Sequence, residues 1–294
     1  MKIIVLSSQE CDDKNANNGD SFIIDNGKEL VIYDCGCKEY AQYIIKYMKE
    51  NGYQKVKVIL SHNDSDHFNG ITTLIENDKT SEITTVLLLK YVDELLDLID
   101  DGRKNRESLK RQITEIYNNI YELSGNNLQD AFEHIEIADG ITISGPGKEY
   151  ILNAAAKGLD TREGDTIDGE TITNATSIHL KVRIGNKYLL LSGDSSFESI
   201  DNEELVDFDI IQLPHHGKKD IAEKVFEELE NKPEIVYVIS DNTGNSNGGS
   251  DQLDTKGYKV LNTKDKGMLS LDENSSNINR SNKGTLGDIF NLQK

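Results

Sequence analysis

The sequence predicts an α/β fold, a four-layer αββα sandwich in which two sheets face each other and helices cover both outer faces. Three observations favour this fold. Short β-branched runs fall into two batches, helical patterns are interleaved with them, and residue types that bind metals follow several strand ends. We expect one domain over residues 1–272 and a loose Asn/Ser-rich tail over residues 273–294, which has little apolar surface to bury.

The first batch consists of short apolar runs bounded by Asn, Asp or Gly, with one helical pattern among them. In that helix Ile44, Ile45 and Met48 share one face, and Gly52 ends it. Val56–Leu60 is apolar on both faces, which is typical of a strand inside a sheet. The predicted strands are Ile3–Leu6, Ser21–Ile24, Leu30–Tyr33, Val56–Leu60 and Ile83–Leu89, and the helix is Tyr40–Asn51.

The segment Tyr91–Phe132 interrupts this pattern. It is charged, lacks proline and spaces its apolar residues as a helix does. We interpret it as a helical insertion rather than a separate domain. His134 follows the insertion and is expected to be exposed.

A hairpin is the clearest feature of the second batch, because Gly185-Asn186 separates the runs Ser177–Ile184 and Lys187–Ser192. Phe208–Leu213 predicts another buried strand, which leads into Pro214-His215-His216-Gly217. The other predicted elements are strands at Ile141–Ser144, Ile235–Ile239, Tyr258–Leu261 and Met268–Leu271, a weaker strand pattern at Tyr150–Asn153, a polar loop over Gly158–Thr173 and a helix over Asp220–Leu229.

Composition restricts the function. The chain has 36% hydrophobic and 29% charged residues and a formal charge of −20, so it repels nucleic acid unless basic residues cluster or a metal supplies positive charge. Cys11, Cys35 and Cys37 lack a second Cys or His pair nearby, which favours free thiols in a reducing compartment. No apolar run approaches the ~18 residues of a membrane span or forms a secretory signal core. We therefore expect a cytoplasmic protein.

The chemistry is concentrated in the loop after Val56–Leu60, where residues 61–70 are Ser-His-Asn-Asp-Ser-Asp-His-Phe-Asn-Gly. Because residues two apart in an extended loop point the same way, His62 and Asp64 are predicted to bind one ion. Asp66 and His67 then turn toward a second ion. Mixed imidazole and carboxylate donors suit Zn, Mn or Fe.

Asp194 closes the hairpin at the end of a buried strand, where an uncompensated charge is costly. Two cations that share its carboxylate would compensate it. The alternative is that Asp194 is the N-cap of a following helix.

The loop pattern Ser-His-x-Asp-x-Asp-His-x-x-Gly resembles the signature loop of the metallo-β-lactamase superfamily, whose commonest form is His-x-His-x-Asp-His. With Asp64 in place of a histidine, it is most similar to the soluble domain of the competence-type DNA-uptake channel proteins (ComEC-like) and their free-standing relatives. Further motifs in matching order are Asn18-Gly19-Asp20-Ser21, Asp34, Asn174-Ala175-Thr176-Ser177, Gly193-Asp194 and Pro214-His215-His216-Gly217, with Thr263–Leu271 as a weaker match.

The resemblance implies a site with two divalent ions, Zn or Mn. Asp194 would bridge the ions, and His216 would bind the second ion. His215 would then face the substrate, where it could bind a phosphate oxygen or protonate a leaving group, unless its role is structural. The implied metal ligands are His62, Asp64, Asp66, His67, Asp194 and His216, the catalytic pair is Asp66 and His215, and Asp34, Asn174 and Ser177 contact the substrate or support the ligands.

The sequence also departs from the family pattern. No third-motif histidine stands near Asn174, so the first ion, held by His62, Asp64 and Asp194, is expected to be weaker and more exchangeable. His179 could replace that histidine, although strand alternation places it opposite Ile178 and Leu180. The stretch Ser240–Asn247 lacks the His and Pro found in the relatives, which puts any substrate role of that loop in question.

The sequence thus predicts a dinuclear hydrolase in which a metal-bridging water attacks an ester. The resemblance implies a phosphodiester, and the acidic charge favours a small or single-stranded substrate, or a partner that supplies a basic groove. Hydrolysis of a non-phosphate ester, lactone or thioester on the same site is the alternative reaction. A metal-stabilised interaction subunit, with the insertion 91–132 as its partner surface, is the alternative without turnover.

Overall fold

The computed structural model of the protein describes residues 1–99, 102, 104–123, 127–160, 166–201, 205–244 and 249–275. The tail predicted over residues 273–294 lies outside these residues from position 276 onward. The described strands are β1 (Lys2–Val5), β2 (Phe22–Asp25), β3 (Leu30–Tyr33), β4 (Val56–Ile59), β5 (Thr80–Thr85), β6 (Leu128–Asp130), β7 (Glu136–Ala138), β8 (Ile141–Gly145), β9 (Thr166–Ile167), β10 (Glu170–Thr171), β11 (His179–Ile184), β12 (Lys187–Leu191), β13 (Ile210–Gln212), β14 (Val236–Ile239), β15 (Lys259–Asn262) and β16 (Leu269–Leu271).

Helices alternate with these strands, and short 3-10 turns lie at Ser8–Glu10, Leu88–Tyr91 and Leu205–Asp207. The described helices are α1 (Lys38–Asn51), α2 (Ser65–Glu76), α3 (Val92–Leu98), α4 (Arg106–Ile116), α5 (Asn118–Leu123), α6 (Lys148–Leu159), α7 (Ile172–Ala175), α8 (Phe197–Asp201), the single turn α9 (Pro214–Gly217), α10 (Lys219–Glu228) and α11 (Thr263–Lys266).

The described strands form two seven-stranded sheets. The first has the order β16-β1-β2-β3-β4-β5-β6, and the second has the order β15-β14-β13-β12-β11-β8-β7. Strands β3 to β6 run parallel, as do β12 to β15. The carboxyl ends of β4, β12 and β13 are therefore placed where loops leave a parallel sheet, the position at which open α/β sheets present functional groups.

Burial defines four layers. The inner faces of the sheets pack on each other through residues such as Ile24 and Leu180, and Tyr33 Oη donates a hydrogen bond of 2.6 Å to the carbonyl of Ile178 across the gap. Helices α1 and α2 cover the outer face of the first sheet, and α10 covers that of the second. The αββα sandwich predicted from the sequence is confirmed.

Four local predictions differ from the structure. Tyr150–Asn153 is part of α6, because the following Ala154–Ala156 run and Glu149 in the first turn favour a helix. The strand predicted over Ile83–Leu89 ends at Thr85 and gives way to a 3-10 turn. The polar loop 158–173 contains the β9–β10 hairpin. The segment 91–132 contains helices α3–α5 but ends in β6, which joins the edge of the first sheet.

The insertion packs on α6 through a separate apolar cluster that includes Leu95, Leu109 and Ile113. Its last strand is tied to the 3-10 turn that precedes α3, because the buried carboxylate of Asp130 accepts hydrogen bonds from Tyr91 Oη and from the backbone of Leu87. Among the described residues, no helix is long and apolar enough to cross a membrane.

Candidate metal centre

Three strand ends bring histidine and aspartate side chains together. The loop and first turn after β4 supply His62 and His67, the turn after β12 supplies Asp194, and the turn α9 after β13 supplies His216. The described residues include three sets in which all the ligand atoms lie within 4.8 Å of one another. The sets are His62, His67 and Asp194; Asp66, His67 and His216; and Asp20, Asp194 and His216. Residues up to 196 positions apart thus share one site.

The most informative feature is a set of buried atoms without hydrogen-bond partners. Nε2 of His62, His67 and His216 and Oδ1 of Asp194 are all inaccessible to solvent, and none has a hydrogen-bond partner among the described residues. His67 Nε2 lies 3.3 Å from Asp194 Oδ1 without hydrogen-bond geometry. Leaving four such atoms buried and unpaired is costly unless another group occupies the space between them.

The opposite nitrogen of each imidazole is held by a fixed partner. Nδ1 of His67 lies 2.8 Å from the carboxylate of Asp34, and Nδ1 of His216 lies 3.0 Å from the carbonyl of Ser240. Nδ1 of His62 lies 2.9 Å from Ser61 Oγ, and that hydroxyl itself donates a hydrogen bond to Asp34. Since Nδ1 donates in each case, the lone pair of Nε2 points into the cluster, which is how metal-binding histidines are oriented.

Asp194 holds the centre of the cluster. Its Oδ2 lies 3.7 Å from Nε2 of both His215 and His216. The turn that presents it requires Gly193 (φ 56°), because a Cβ there would meet Ser61 at 3.0 Å. The N-cap alternative for Asp194 is wrong, since Ser196 Oγ accepts the hydrogen bond from the backbone of Ser199 in α8.

The two aspartates of the signature loop have different environments. Asp66 is mostly buried, accepts a hydrogen bond of 2.7 Å from Asn17 and lies 3.5 Å from Nε2 of His216. The side chain of Asp64 is 44% exposed, makes no capping hydrogen bond to α2 and lies 3.7 Å from Nε2 of His62. Asp64 thus lies near His62 but belongs to none of the three sets, whereas His62 shares one set with His67 and Asp194.

His215 is held outside the three sets by a carboxylate that the sequence did not indicate. His215 and His216 both have left-handed φ angles, 49° and 54°, so their rings leave the turn in different directions. Nδ1 of His215 lies 2.6 Å from Oε2 of Glu170, whose side chain is only 2% exposed. Glu170 also pairs with Lys218 and accepts a weak hydrogen bond from Asn174 at 3.4 Å.

The other predicted residues are placed as follows. Asn174 contacts Glu170, and Ser177 Oγ lies 3.1 Å from Nδ1 of His62. His179 lies 2.5 Å from Ser195 Oγ, on the outer face of its sheet, so the structure does not bring it to His62. His134 is only partly exposed and lies 3.3 Å from Glu82, whereas the sequence predicted an exposed side chain.

Charge and burial compete throughout the cluster. Burial by itself would lower the pKa of His67, but Asp194 and Asp34 raise that pKa well above its ordinary value. The pKa of His216 is raised against its burial by Asp194 and Asp20. Burial would raise the pKa of Asp194, whereas His67, His216 and His215 hold it well below its usual range. Without cations the carboxylates favour protonated imidazoles, and divalent cations would displace those protons on binding.

The donor set fits divalent metal ions. Three imidazole nitrogens and a carboxylate oxygen converge, Asp66 and Asp20 add harder oxygen donors nearby, and each imidazole has a partner that fixes its orientation.

Comparison with known families agrees with this site. The sequence model described as the metallo-β-lactamase superfamily matches residues 15–240, which is most of the chain. The chain belongs to the metallo-β-lactamase superfamily. Most members of this superfamily are metal-dependent hydrolases, typically with zinc, so this protein is a superfamily hydrolase with a candidate metal-binding cluster.

Solved structures of the superfamily are similar but distant. The metallo-β-lactamase fold protein YhfI from Bacillus subtilis is 12% identical with a TM-score of 0.39, over 72% of this chain and 70% of that protein. The short form of human tRNase Z is 10% identical with a TM-score of 0.40, over 81% of this chain and 92% of that one. The metallo-β-lactamase MIM-1 from Novosphingobium pentaromativorans is 13% identical with a TM-score of 0.34, over 72% and 74% of the two chains. No curated protein sequence matches significantly.

In this metallo-β-lactamase fold, sequence reasoning missed three residues that hold the site. Asp20 was part of a recognised motif without an assigned role, yet its Oδ1 lies 3.1 Å from Nδ1 of His216. Gln212 donates to Asp20 at 2.9 Å and accepts from the backbone of Ser192 at 3.0 Å. Glu170 is separated from His215 by 45 positions, and no local pattern marked it. The Gly-Asp motif was the only available signal, and it concerned Asp20 alone.

Proposed function

We propose that this protein is a dinuclear metal-dependent hydrolase that acts on phosphodiesters of a nucleic-acid or nucleotide-like kind. One observation carries the proposal: the buried Nε2 atoms of His62, His67 and His216 converge with Oδ1 of Asp194, and none of these atoms has a hydrogen-bond partner among the described residues. Such a cluster is stable only with compensating cations or protons.

The proposed ligands divide into two groups. Asp66, His67 and His216 would hold one ion, and His62 with Asp64 would hold the other, with Asp194 between them. His67 lies within reach of both groups. Zn or Mn is the proposed metal, because imidazole nitrogens and carboxylate oxygens occur in similar numbers. When bound, the pair of ions would lower the pKa of a water molecule and neutralise charge that develops on the ester.

His215 is proposed to act on the leaving group. Its Nε2 lies 3.7 Å from Asp194 Oδ2, at the edge of the cluster, and its side chain is 25% exposed and therefore accessible to a substrate. Burial would lower the pKa of His215, but Asp194 and Glu170 raise it, which favours the protonated ring. A protonated imidazole at this place can donate to a departing alkoxide or bind a phosphoryl oxygen.

A phosphodiester suits these charges. Two divalent ions and a cationic His215 together complement the negative charge of a phosphodiester and its transition state better than they complement a neutral lactone. The chain charge of −20 supports a small or single-stranded substrate over a long duplex. A ComEC-like affiliation and a cytoplasmic location are parts of the same proposal, supported by the motif at Asn174–Ser177 and by three cysteines that form no disulfide.

The experiment combines metal analysis with a substrate panel. The purified protein is expected to bind two Zn or Mn ions and to hydrolyse a generic phosphodiester such as bis-p-nitrophenyl phosphate faster than a lactone or thioester. His216→Ala should lose metal and activity, while His134→Ala, a partly exposed histidine outside the cluster, should keep both. Preferred lactone or thioester turnover would refute the phosphodiester assignment. Full metal content without turnover of any substrate would favour the interaction-subunit alternative.

A further inference from the structure

A largely apolar cavity of about 220 Å³ lies where the insertion meets α6 and α7. Its walls include Leu88, Ile116, Tyr117, Leu159, Ile172 and Thr173, and no described residue that lines it is charged. Ile116 stands at the mouth with 42% of its surface exposed, whereas Leu88 and Leu159 are buried in the floor. An apolar hollow of this size on a protein with 29% charged residues favours an apolar occupant.

The cavity lies next to the loop that carries His62. A narrow space of about 20 Å³ beside His62 and Asn63 shares Tyr117 and Thr173 with the cavity as common walls. The two parts are also tied together, because Asn63 Nδ2 donates a hydrogen bond of 2.9 Å to the carbonyl of Ile116. The insertion thus places its own apolar side chains next to the loop that carries the candidate ligands.

The size and polarity of the cavity define its occupant. A cavity of about 150 Å³ lined by apolar side chains binds benzene, so about 220 Å³ accepts one ring with its connecting atoms. The polar group of Thr171 is already engaged, since its Oγ1 donates to Asn174 at 2.9 Å. Ile116, Leu159 and Ile172 offer apolar contact to a ring, beside the hydroxyl-bearing side chains of Tyr117 and Thr173.

We propose that this cavity is a substrate subsite for an uncharged, ring-sized apolar group, carried by the ester that the metal centre hydrolyses. The inference rests on the proposed function for the ester and goes beyond it by naming the group that the insertion recognises. It also gives the insertion a role in the substrate preference of the protein.

Binding of non-hydrolysable ligands tests the subsite without turnover. Calorimetry would compare 3-phenylpropyl-, benzyl- and phenylphosphonate with propyl-, methyl- and ethylphosphonate on the metal-loaded protein. At least one ring-bearing ligand is expected to bind about 10-fold or more tightly than its ring-free counterparts, the minimum effect of filling an apolar pocket. Ile116→Arg should abolish this difference, because it places a charge at the mouth. Leu98→Arg is the matched control, since Leu98 is 46% exposed on the same insertion and does not line the cavity.

Turnover separates this inference from the proposed function. Propyl and 3-phenylpropyl p-nitrophenyl phosphate have the same leaving group, so a difference in kcat/KM between them measures the effect of the ring. Equal binding of ring-bearing and ring-free phosphonates, no binding of either, or an unchanged ring preference in Ile116→Arg overturns the subsite. Selective binding of the ring without hydrolysis of either diester supports the subsite and refutes the phosphodiester assignment alone.

Discussion

Oδ2 of Asp34 lies 2.8 Å from Nδ1 of His67, and both side chains are fully buried. The same carboxylate accepts hydrogen bonds of 2.7 Å from the backbone and from the hydroxyl of Ser61. Asp34 thereby orients His67 directly and His62 through Ser61, although it reaches neither proposed ion itself.

Replacing Asp34 should weaken metal binding without removing a ligand. For Asp34→Asn we expect a loss of about 10- to 100-fold in metal affinity, the usual effect of removing the partner of a metal-binding histidine. Competition with a chromogenic chelator measures it. Asp130→Asn is the control, because Asp130 is equally buried but lies at the end of the insertion, where it should lower the melting temperature without altering metal affinity. Equal metal affinity in Asp34→Asn and the parent would contradict this account.

Glu170 should matter for turnover through His215. Glu170→Gln keeps the size of the side chain but removes the charge that holds Nδ1 of His215 at 2.6 Å, so kcat/KM is expected to fall about 10-fold or more with metal content intact. His215→Ala should lower turnover by ~10²–10⁴-fold. Lys218→Met is the control, because Lys218 pairs with Glu170 and not with His215.

The double variant tests whether Glu170 affects turnover only through His215. If Glu170 acts only through His215, Glu170→Gln combined with His215→Ala should be no slower than His215→Ala alone. Additive losses would mean that Glu170 has a separate effect on the site. Loss of a metal ion in His215→Ala would instead make His215 a ligand.

Asp25 gives a pH dependence that is independent of the metal centre. It accepts hydrogen bonds from Tyr53 Oη at 2.5 Å and Tyr47 Oη at 2.7 Å, and these bonds lower its pKa although partial burial raises it. A lowered pKa in the folded state stabilises the protein above the unfolded value of about 4, and this contribution is lost as the pH falls through the lower folded value.

The corresponding variant is Asp25→Asn. Its melting temperature should lie below that of the parent at pH 7, and the difference should shrink below about pH 4 as the parent carboxylate becomes protonated. Thermal melting of the metal-free proteins measures it. Asp139→Asn, which breaks an exposed ion pair with Arg183, should melt close to the parent at every pH. A difference for Asp25→Asn that stays constant from pH 7 to pH 3 would rule out the assigned cause.

Much of the fold followed from local patterns. Strands such as Leu30–Tyr33 have apolar residues on both faces, and the hairpin turn at Gly185-Asn186 requires a left-handed glycine, so their positions were evident. The parallel strand ends then brought the residues after β4, β12 and β13 together. Tyr150–Asn153 was misassigned because four apolar-rich residues fit either a strand or a buried helix, and only the packing of α6 on the insertion decides.

The supporting residues of the site were not predictable in the same way. Glu170 and Gln212 act through contacts with residues 45 and 192 positions away, and hydrogen bonds across such distances leave no periodicity in one sequence. A glutamate in a polar stretch normally indicates a solvated loop. Only the folded β9–β10 hairpin, which buries Glu170 against His215, shows otherwise.

Removal of metal should proceed in two stages. Asp66, His67 and His216 are buried or mostly buried donors around one position, whereas the other position depends on His62 and on Asp64, whose side chain is 44% exposed. Titration with a chelator, followed by elemental analysis, should therefore release one ion well before the other. Two ions that leave together with equal affinity would contradict this division.

Two substitutions test which carboxylate bridges the two proposed ions. Asp64→Ala should weaken only the ion that leaves first, because Asp64 lies in none of the tightly clustered sets. Asp194→Ala should be the most damaging substitution, since Asp194 shares one set of clustered ligand atoms with His62 and another with His216, so its carboxylate faces both proposed ions. Its removal also leaves buried imidazoles and cations poorly neutralised. Retention of both ions and normal turnover in Asp194→Ala would exclude a bridging role for this carboxylate.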